Sequence, residues 1–281
     1  MEGKKLSGRK ITYVIISLLL ICACLWGYVK ITEVSKRQLD ILFLGDSLIG
    51  QYRDETSIPY LVEEELGMSV FNGAFGGTSL AKLNLEDKGT FQKDGLTLVS
   101  LARAISFDDF GVQQSVYIRE AATEHFGQVV DELEQIDLQN LKYLIIEYGT
   151  NDYFAGVPLE NPEDPYEEYT FAGALRSSLE VLRKSLPDLQ IILISPTYNW
   201  YLNTQENCEN KDFGGGYMPG YVSAVAEIAE EYGVGYVDIY TDFYPLKDYP
   251  DALIYTEDGV HPNEDGRKKI AEAIIEYIEN N

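Results

Sequence analysis

The chain has 281 residues, 46 of them Asp or Glu against 22 Lys or Arg, for a formal net charge of −24. Seven of the basic and two of the acidic residues fall within the first 37, which leaves 15 basic and 44 acidic side chains for the remainder. A surface that negative repels nucleic-acid phosphates and anionic lipid headgroups, which argues against a nucleic-acid partner; roughly 244 residues beyond the first 37 suit one α/β domain with a sizeable core.

Lys4, Lys5, Arg9 and Lys10 precede nineteen uncharged residues, Ile11 to Val29. At about 1.5 Å per residue that run is just long enough to cross a bilayer as a helix. The basic cluster ahead of it favours a cytoplasmic N-terminus. Trp26 and Tyr28 suit the far interface, and no small-x-small cleavage site stands out. The expectation is an uncleaved signal anchor: residues 1–10 cytoplasmic, 11–29 spanning the cell membrane, 30–39 a short tether, and 40–281 an extracellular domain close to the membrane surface. A lipid anchor on Cys24 is the alternative, with a poor lipidation sequence, Ile21-Cys22-Ala23, before it. Cys208 stands alone in the main domain, so no disulfide forms within it.

The domain opens on an apolar run, Ile41 to Leu44, that leads straight into Gly45-Asp46-Ser47. This is the pattern of a buried parallel strand ending in a tight turn. Gly45 tolerates the turn. Ser47 then stands at the carboxyl end of the first strand, the edge where open α/β sheets bind ligands. The plainer reading of this motif alone is a serine capping the next helix. Ser57 and Pro59 open a helix over Ile58 to Leu66. A short strand, Ser69 to Phe71, ends in the glycine-rich turn Asn72 to Ser79, which offers bare N–H groups but lacks the spacing of a phosphate-binding loop.

Residues 81–136 read as mostly helical, with an apolar stretch from Leu96 to Ile105, a break at Asp108, Asp109 and Gly111, and a helix near Ser115 to Ile136. They form either a lid near the site or an ordinary pair of crossover helices. His125 falls on a polar helix, as a solvated surface histidine. Leu141 to Tyr148 is a buried strand that ends in Gly149-Thr150-Asn151-Asp152. A helix from about Tyr169 to Leu186 leads to an all-apolar strand, Gln190 to Ile194. The loop from Thr197 to Gly216 carries Tyr198, Asn199, Trp200 and Tyr201, which read equally as a sugar-stacking, substrate-binding wall and as loop packing; Cys208 in it is a passive thiol. A helix over Tyr217 to Tyr232, a strand over Gly235 to Ile239 and a loop with Asp258 and His261 lead to a last helix. Asn263 opens that helix, Glu264 to Glu279, with Ile270, Ile274 and Ile278 on its inner face. Five strands alternating with helices require a parallel sheet covered on both faces.

In such a sheet the turns carrying Ser47, Gly76 and Gly77, and Asn151 share one edge, and the loop with Asp258 and His261 can reach it. Together they supply what acyl transfer needs. Ser47 is a weak nucleophile that requires a base. His261 can serve, since imidazole titrates near neutral pH, and Asp258, three residues earlier, can hold its far ring nitrogen. The N–H groups of Ser47 and Gly77 and the amide of Asn151 can take the charge that develops on the carbonyl oxygen. Asp258 and His261 could instead be two metal ligands, but no third ligand is marked and His125 is the only other histidine, so no metal is expected.

Four blocks in this order resemble the SGNH hydrolases, also called the GDSL esterase/lipase family. Gly45-Asp46-Ser47-Leu48 is similar to its nucleophile block, Asn72 to Thr78 to its glycine block, Gly149-Thr150-Asn151-Asp152 to its asparagine block, and Asp258-x-x-His261-Pro262 to its acid–base block. The resemblance runs from about residue 40 to the C-terminus. It implies a flavodoxin-like three-layer αβα sandwich with a five-stranded parallel sheet, no cofactor, and the roles given above to Ser47, Gly77, Asn151 and His261. Gly76 and Gly77 are adjacent; the spacing from Asn72 favours Gly77.

The expected activity is hydrolysis of acyl esters, acetyl foremost, on a cell-surface or environmental carbohydrate. Lipid or lysophospholipid ester hydrolysis is the rival, and it requires apolar residues such as Leu96, Leu98 and Leu101 to line the cleft. A further alternative is transfer of an acyl group to a glycan, with a membrane acyltransferase as partner. A non-catalytic binding module is disfavoured by the intact Ser47, Asp258 and His261.

Overall fold

The computed structural model describes residues 36–83, 93–115, 125–201, 203–244 and 249–281. The first strand, β1 (Ile41–Gly45), is buried along its whole length. It lies inside a parallel sheet with β2 (Val70–Asn72), an edge strand, on one side and β3 (Tyr143–Glu147), the central strand, on the other. Next come β4 (Gln190–Ile194) and, beyond the small hairpin of β5 (Trp200–Tyr201) and β6 (Glu206–Asn207), β7 (Gly235–Val237). The order β2-β1-β3-β4-β7 is the doubly wound flavodoxin arrangement. Its connections reverse direction between β1 and β3, and open sheets of this kind bind ligands outside the carboxyl ends of the strands at that point.

Strand alternation divides the core in two. Leu42 and Leu44 of β1, Leu144 and Ile146 of β3, and Leu193 of β4 face one layer of helices. Those helices include α3 (Leu98–Phe107), α5 (Phe126–Leu133), α7 (Phe171–Ser185) and α8 (Met218–Tyr232). Ile41, Phe43, Ile145, Ile192 and Ile194 face the opposite layer, α2 (Ile58–Leu66) and α10 (Glu264–Asn280). Period-2 strands buried on both faces thus give the three-layer sandwich, and each wholly buried Leu, Ile or Phe stabilises it by about 1.5–3 kcal/mol. Three further short helices, α1 (Ser47–Gly50), α6 (Thr150–Ala155) and α9 (Tyr249–Tyr255), follow β1, β3 and β7 at the carboxyl edge; α4 (Gly111–Ser115) follows α3.

Local signals account for most helix ends. Ser57, Thr97, Thr170 and Asn263 each cap a helix with a side-chain oxygen that accepts an N–H three residues on. Asp108 stops α3 in the left-handed conformation, φ 53°. Gly149 (φ 135°) turns the chain from β3 into α6, and a Cβ there would stand 2.6 Å from Pro196, so only glycine fits.

Several expectations need correction. Leu96, Leu98 and Leu101 are wholly buried, and α3 packs into the core as a crossover helix; these residues line no cleft. The described part of the helix expected near Ser115 to Ile136 is α5, which ends at Leu133. The loop after β4 holds the β5–β6 hairpin, and the last strand stops at Val237. The apolar run at 11–29 lies outside the described residues; among the described residues no helix is long and apolar enough to cross a membrane. Gln38–Asn281 forms one unit by itself.

Candidate active site

Ser47 is the first residue of α1, two residues past the end of the strand, with Asp46 between. Asp46 shapes this turn: its carboxylate Oδ1 accepts the Leu48 N–H at 2.9 Å. Past Asn72 the β1–β2 pairing continues into the glycine block, where the Gly73 N–H donates to Phe43 O and the Phe75 N–H to Gly45 O, each at 2.9 Å. That pairing lays the block against the serine turn. A Cβ on Gly76 would stand 3.7 Å from Ser47 Cβ, so Gly76 borders the serine, and Gly77 follows with φ 73°. Asn72 ties the block to α1 through bonds from Nδ2 to Ile49 O (3.0 Å) and Tyr52 O (3.3 Å). Arg53 reaches Asn72 O (2.7 Å) and Ala74 O (2.5 Å) from the other side.

Asn151 is the second residue of α6. Its amide donates one hydrogen to Thr78 O at 2.9 Å and the other to Asp46 Oδ2 at 3.1 Å. An oxyanion formed beside Ser47 competes with these two acceptors for one N–H. Asp152, next in sequence, is fully buried and clamps the chain after the glycine block: Oδ2 accepts Leu80 N–H and Oδ1 accepts Ala81 N–H, both at 2.8 Å.

Asp258 and His261 sit on the loop between α9 and α10. The loop is closed by Glu257 N–H to His261 O (2.8 Å) and Gly259 N–H to Thr256 Oγ1 (2.9 Å). Asp258 Oδ1 accepts the backbone N–H groups of Val260 (3.0 Å) and His261 (2.8 Å), and Oδ2 lies 2.8 Å from His261 Nδ1. A carboxylate only accepts, so the ring proton sits on Nδ1 and leaves Nε2 as acceptor. Nε2 is 3.1 Å from Ser47 Oγ. Residues 214 positions apart thus meet as Ser–His–Asp. Partial burial pushes the Asp258 carboxyl up, but the hydrogen bonds from His261 and Val260 outweigh it and hold the group below the usual carboxylate range.

Three buried acids lie beneath this edge. Burial raises Asp46 to about 6 and Asp152 to about 7, in both cases against hydrogen bonds that pull down. Glu147, at the end of β3, is driven well above the carboxylate range, first by burial and then by the Asp46 charge. Sequence reasoning gave these three no role. The signal available was an acid closing an otherwise apolar strand, Leu144 to Glu147.

The aromatic loop attaches directly to the acid–base loop, because the Trp200 N–H donates to Gly259 O at 2.8 Å. Tyr198 and Trp200 are half-buried, and Tyr198 packs on Tyr240 with centroids 5.4 Å apart. Asn199, expected among the substrate-binding residues, is wholly buried instead. Its backbone N–H faces Cys208 Sγ (3.3 Å) and its carbonyl accepts the Cys208 N–H (3.0 Å), so it braces the hairpin. Cys208 is a buried free thiol that burial pushes up to about 11. His125 is exposed. Among the described residues, no group of three or more His, Cys, Asp or Glu is placed to hold a metal ion.

The family model of the GDSL-like lipases and acylhydrolases matches residues 41–274. Comparison with curated protein sequences finds no match. Among solved structures, the chain is similar to a protein from Lactobacillus plantarum (TM-score 0.61, 19% identity, covering 89% of this chain and 99% of that one). It is also similar to "a possible lipase" from Chitinophaga pinensis (0.56, 18%, 86% and 98%). A third is a member of the lipolytic protein G-D-S-L family from Veillonella parvula (0.52, 14%, 87% and 100%). At these identities the structural likeness speaks for the fold, while the match of the family model across the sheet and all four blocks speaks for the lineage. The chain belongs to the GDSL-like lipase/acylhydrolase family, the SGNH hydrolases, and is a serine hydrolase of carboxylic esters.

Proposed function

We propose that this chain is a membrane-anchored, outward-facing esterase that removes short acyl groups, acetyl foremost, from carbohydrate. In this reading Ser47 Oγ attacks the ester carbonyl while His261 Nε2 takes its proton. The N–H groups of Ser47 and Gly77 and the Asn151 amide receive the oxyanion. Asp258 holds the imidazolium. The alcohol leaves with the proton from His261, and water then releases the acid from Ser47 by the same steps.

One observation carries the substrate class: the apolar residues that a long-chain lipase would need at its cleft, Leu96, Leu98 and Leu101, are spent in the core. What flanks the acid–base loop is aromatic and hydroxyl-bearing, namely Tyr198, Trp200, Tyr201 and Tyr240. Tyr198 and Trp200 are half-buried there, and a partly exposed flat aromatic face suits a sugar ring. Nineteen uncharged residues behind four Lys or Arg support the anchor and the outward orientation.

The test is a chain-length series of p-nitrophenyl esters, acetate to palmitate, with Ser47→Ala beside the native chain, followed by acetate release from an acetylated polysaccharide. Fast turnover of the short esters and of the polysaccharide, lost in the variant, is the expected result. A preference for the long esters would move the assignment to lipids. Membrane fractionation and protease accessibility on intact cells test the anchor and its orientation.

A further inference from the structure

Glu147 ends β3 directly beside Gly45 of β1, in the register of the sheet. It is wholly buried, and neither of its carboxyl oxygens makes a well-formed hydrogen bond to any N–H or O–H among the described residues. The carboxyl that acts on it most strongly is that of Asp46, itself buried and next to Gly45, the residue paired with Glu147. Two carboxyl oxygens attract each other only if one of them carries a proton. The surroundings decide which. Asp46 already accepts two N–H donors, from Leu48 at 2.9 Å and Asn151 at 3.1 Å, and both favour its charged form. Glu147 has only the Asp46 backbone N–H to favour a charge, against its burial and the negative charges of Asp46 and Asp152. The remaining titratable groups facing the pair are the buried Tyr148 hydroxyl and, through Asp46, His261.

We propose that Glu147 is a positioning residue: a neutral carboxylic acid that donates its O–H to Asp46 and so fixes the Asp46 carboxylate on which both Asn151 and the Ser47 turn are hung. This rests on the reading of Ser47 and Asn151 as oxyanion donors. With Glu147 in place, Asp46 accepts three bonds, and each locks a different element: α1 through Leu48, α6 through Asn151, and β3 through Glu147 itself. The shared proton also spreads the Asp46 charge away from the oxyanion, which is negative as well. Ionising Glu147 would place a second carboxylate beneath the site and loosen the hold on the Asn151 amide. The acid is therefore useful only while neutral.

Two measurements test this. The first is independent of turnover: the infrared difference spectrum of the native chain minus Glu147→Gln at pH 8, read for the C=O stretch of a protonated carboxylic acid. The expected result is one such band belonging to Glu147; its absence overturns the proposal even if the chain hydrolyses no ester at all, in which case the functional reading fails separately. The second compares kcat, KM and pH profile for p-nitrophenyl acetate in Glu147→Gln and Glu147→Leu. Gln keeps an N–H donor to Asp46 and cannot ionise, so kcat stays within about threefold of native and any alkaline loss caused by Glu147 disappears. Leu keeps the volume without the donor, so kcat falls by about 10- to 100-fold at nearly constant KM, the scale of a misplaced catalytic group. Equal losses in Gln and Leu, or native kcat in Leu, would overturn the proposal. Should Leu fail to fold, the band and the Gln profile decide.

Discussion

Asp152 should make this protein less stable as the pH rises, the reverse of what a salt-bridged carboxylate does. The group is fully buried and its pKa is raised from 3.8 to about 7, chiefly by burial, although two backbone N–H groups pull the other way. Between about pH 4 and 7 the folded chain therefore holds a proton on Asp152 that the unfolded chain has released. With more protons bound in the folded state, stability falls as pH rises. The gap between 3.8 and about 7 is worth about 4 kcal/mol, present in full below pH 4 and lost by the time pH passes 7. Asp46, raised to about 6, acts with the same sign. The acidic surface does too, since its self-repulsion relaxes on acidification. Asp152→Asn separates the local effect from the global one. Asn cannot accept both the Leu80 and Ala81 N–H bonds, so the variant loses about 1–3 kcal/mol at every pH. It also ceases to lose stability through Asp152 ionisation. Urea unfolding at pH 5, 6, 7 and 8, followed by tryptophan fluorescence, should show the variant well below the native chain at pH 5 and close to it at pH 8. A native-to-variant difference that stays constant across this range would refute the reasoning.

Asp258→Asn removes the acceptor that sets the His261 tautomer, and kcat should fall by about 10²- to 10⁴-fold with little change in KM, measured on p-nitrophenyl acetate. Asn151→Ala strips the proposed oxyanion donor together with its bonds to Asp46 and Thr78; kcat should fall by about 10²- to 10³-fold, and a thermal melt should show a folded variant. Gly259→Ala puts a Cβ 2.2 Å from Trp200 O at φ 88°. It should lower stability by about 1–3 kcal/mol and reduce kcat by pushing the acid–base loop off Ser47, while Gly67→Ala, at φ 61° on an open surface, should lose stability without losing kcat.

The elements were legible because the forces that make them are local. Apolar runs of four or five residues gave β1, β3 and β4 to within two residues, and capping side chains at Ser57 and Asn263 marked where α2 and α10 begin. The Asp258–His261 pair was legible for the same reason, since three residues of tight loop suffice to bring a carboxylate onto the near ring nitrogen. The order of strands in a doubly wound sheet, and hence the meeting of Ser47 with His261, followed from the blocks taken together.

What the sequence could not decide was which side chains face each other across strands far apart in the chain. An apolar stretch such as Leu96 to Ile105 suits a lid and a crossover helix alike; only packing of α3 onto the sheet removed Leu96, Leu98 and Leu101 from the site. Asn199 sits between two aromatics that remain half-exposed, and its burial depends on the β5–β6 hairpin folding back through Cys208. The closeness of Glu147 and Asp46 comes from the register that sets Gly45 opposite Glu147, a fact of tertiary pairing. Residue type and spacing determined the strands, the caps and the Asp258–His261 pair, because backbone geometry reads them within a few residues. Burial, charge state and the support beneath Ser47 and Asn151 were decided by the sheet, because desolvation and pairing depend on neighbours that the chain supplies from a distance.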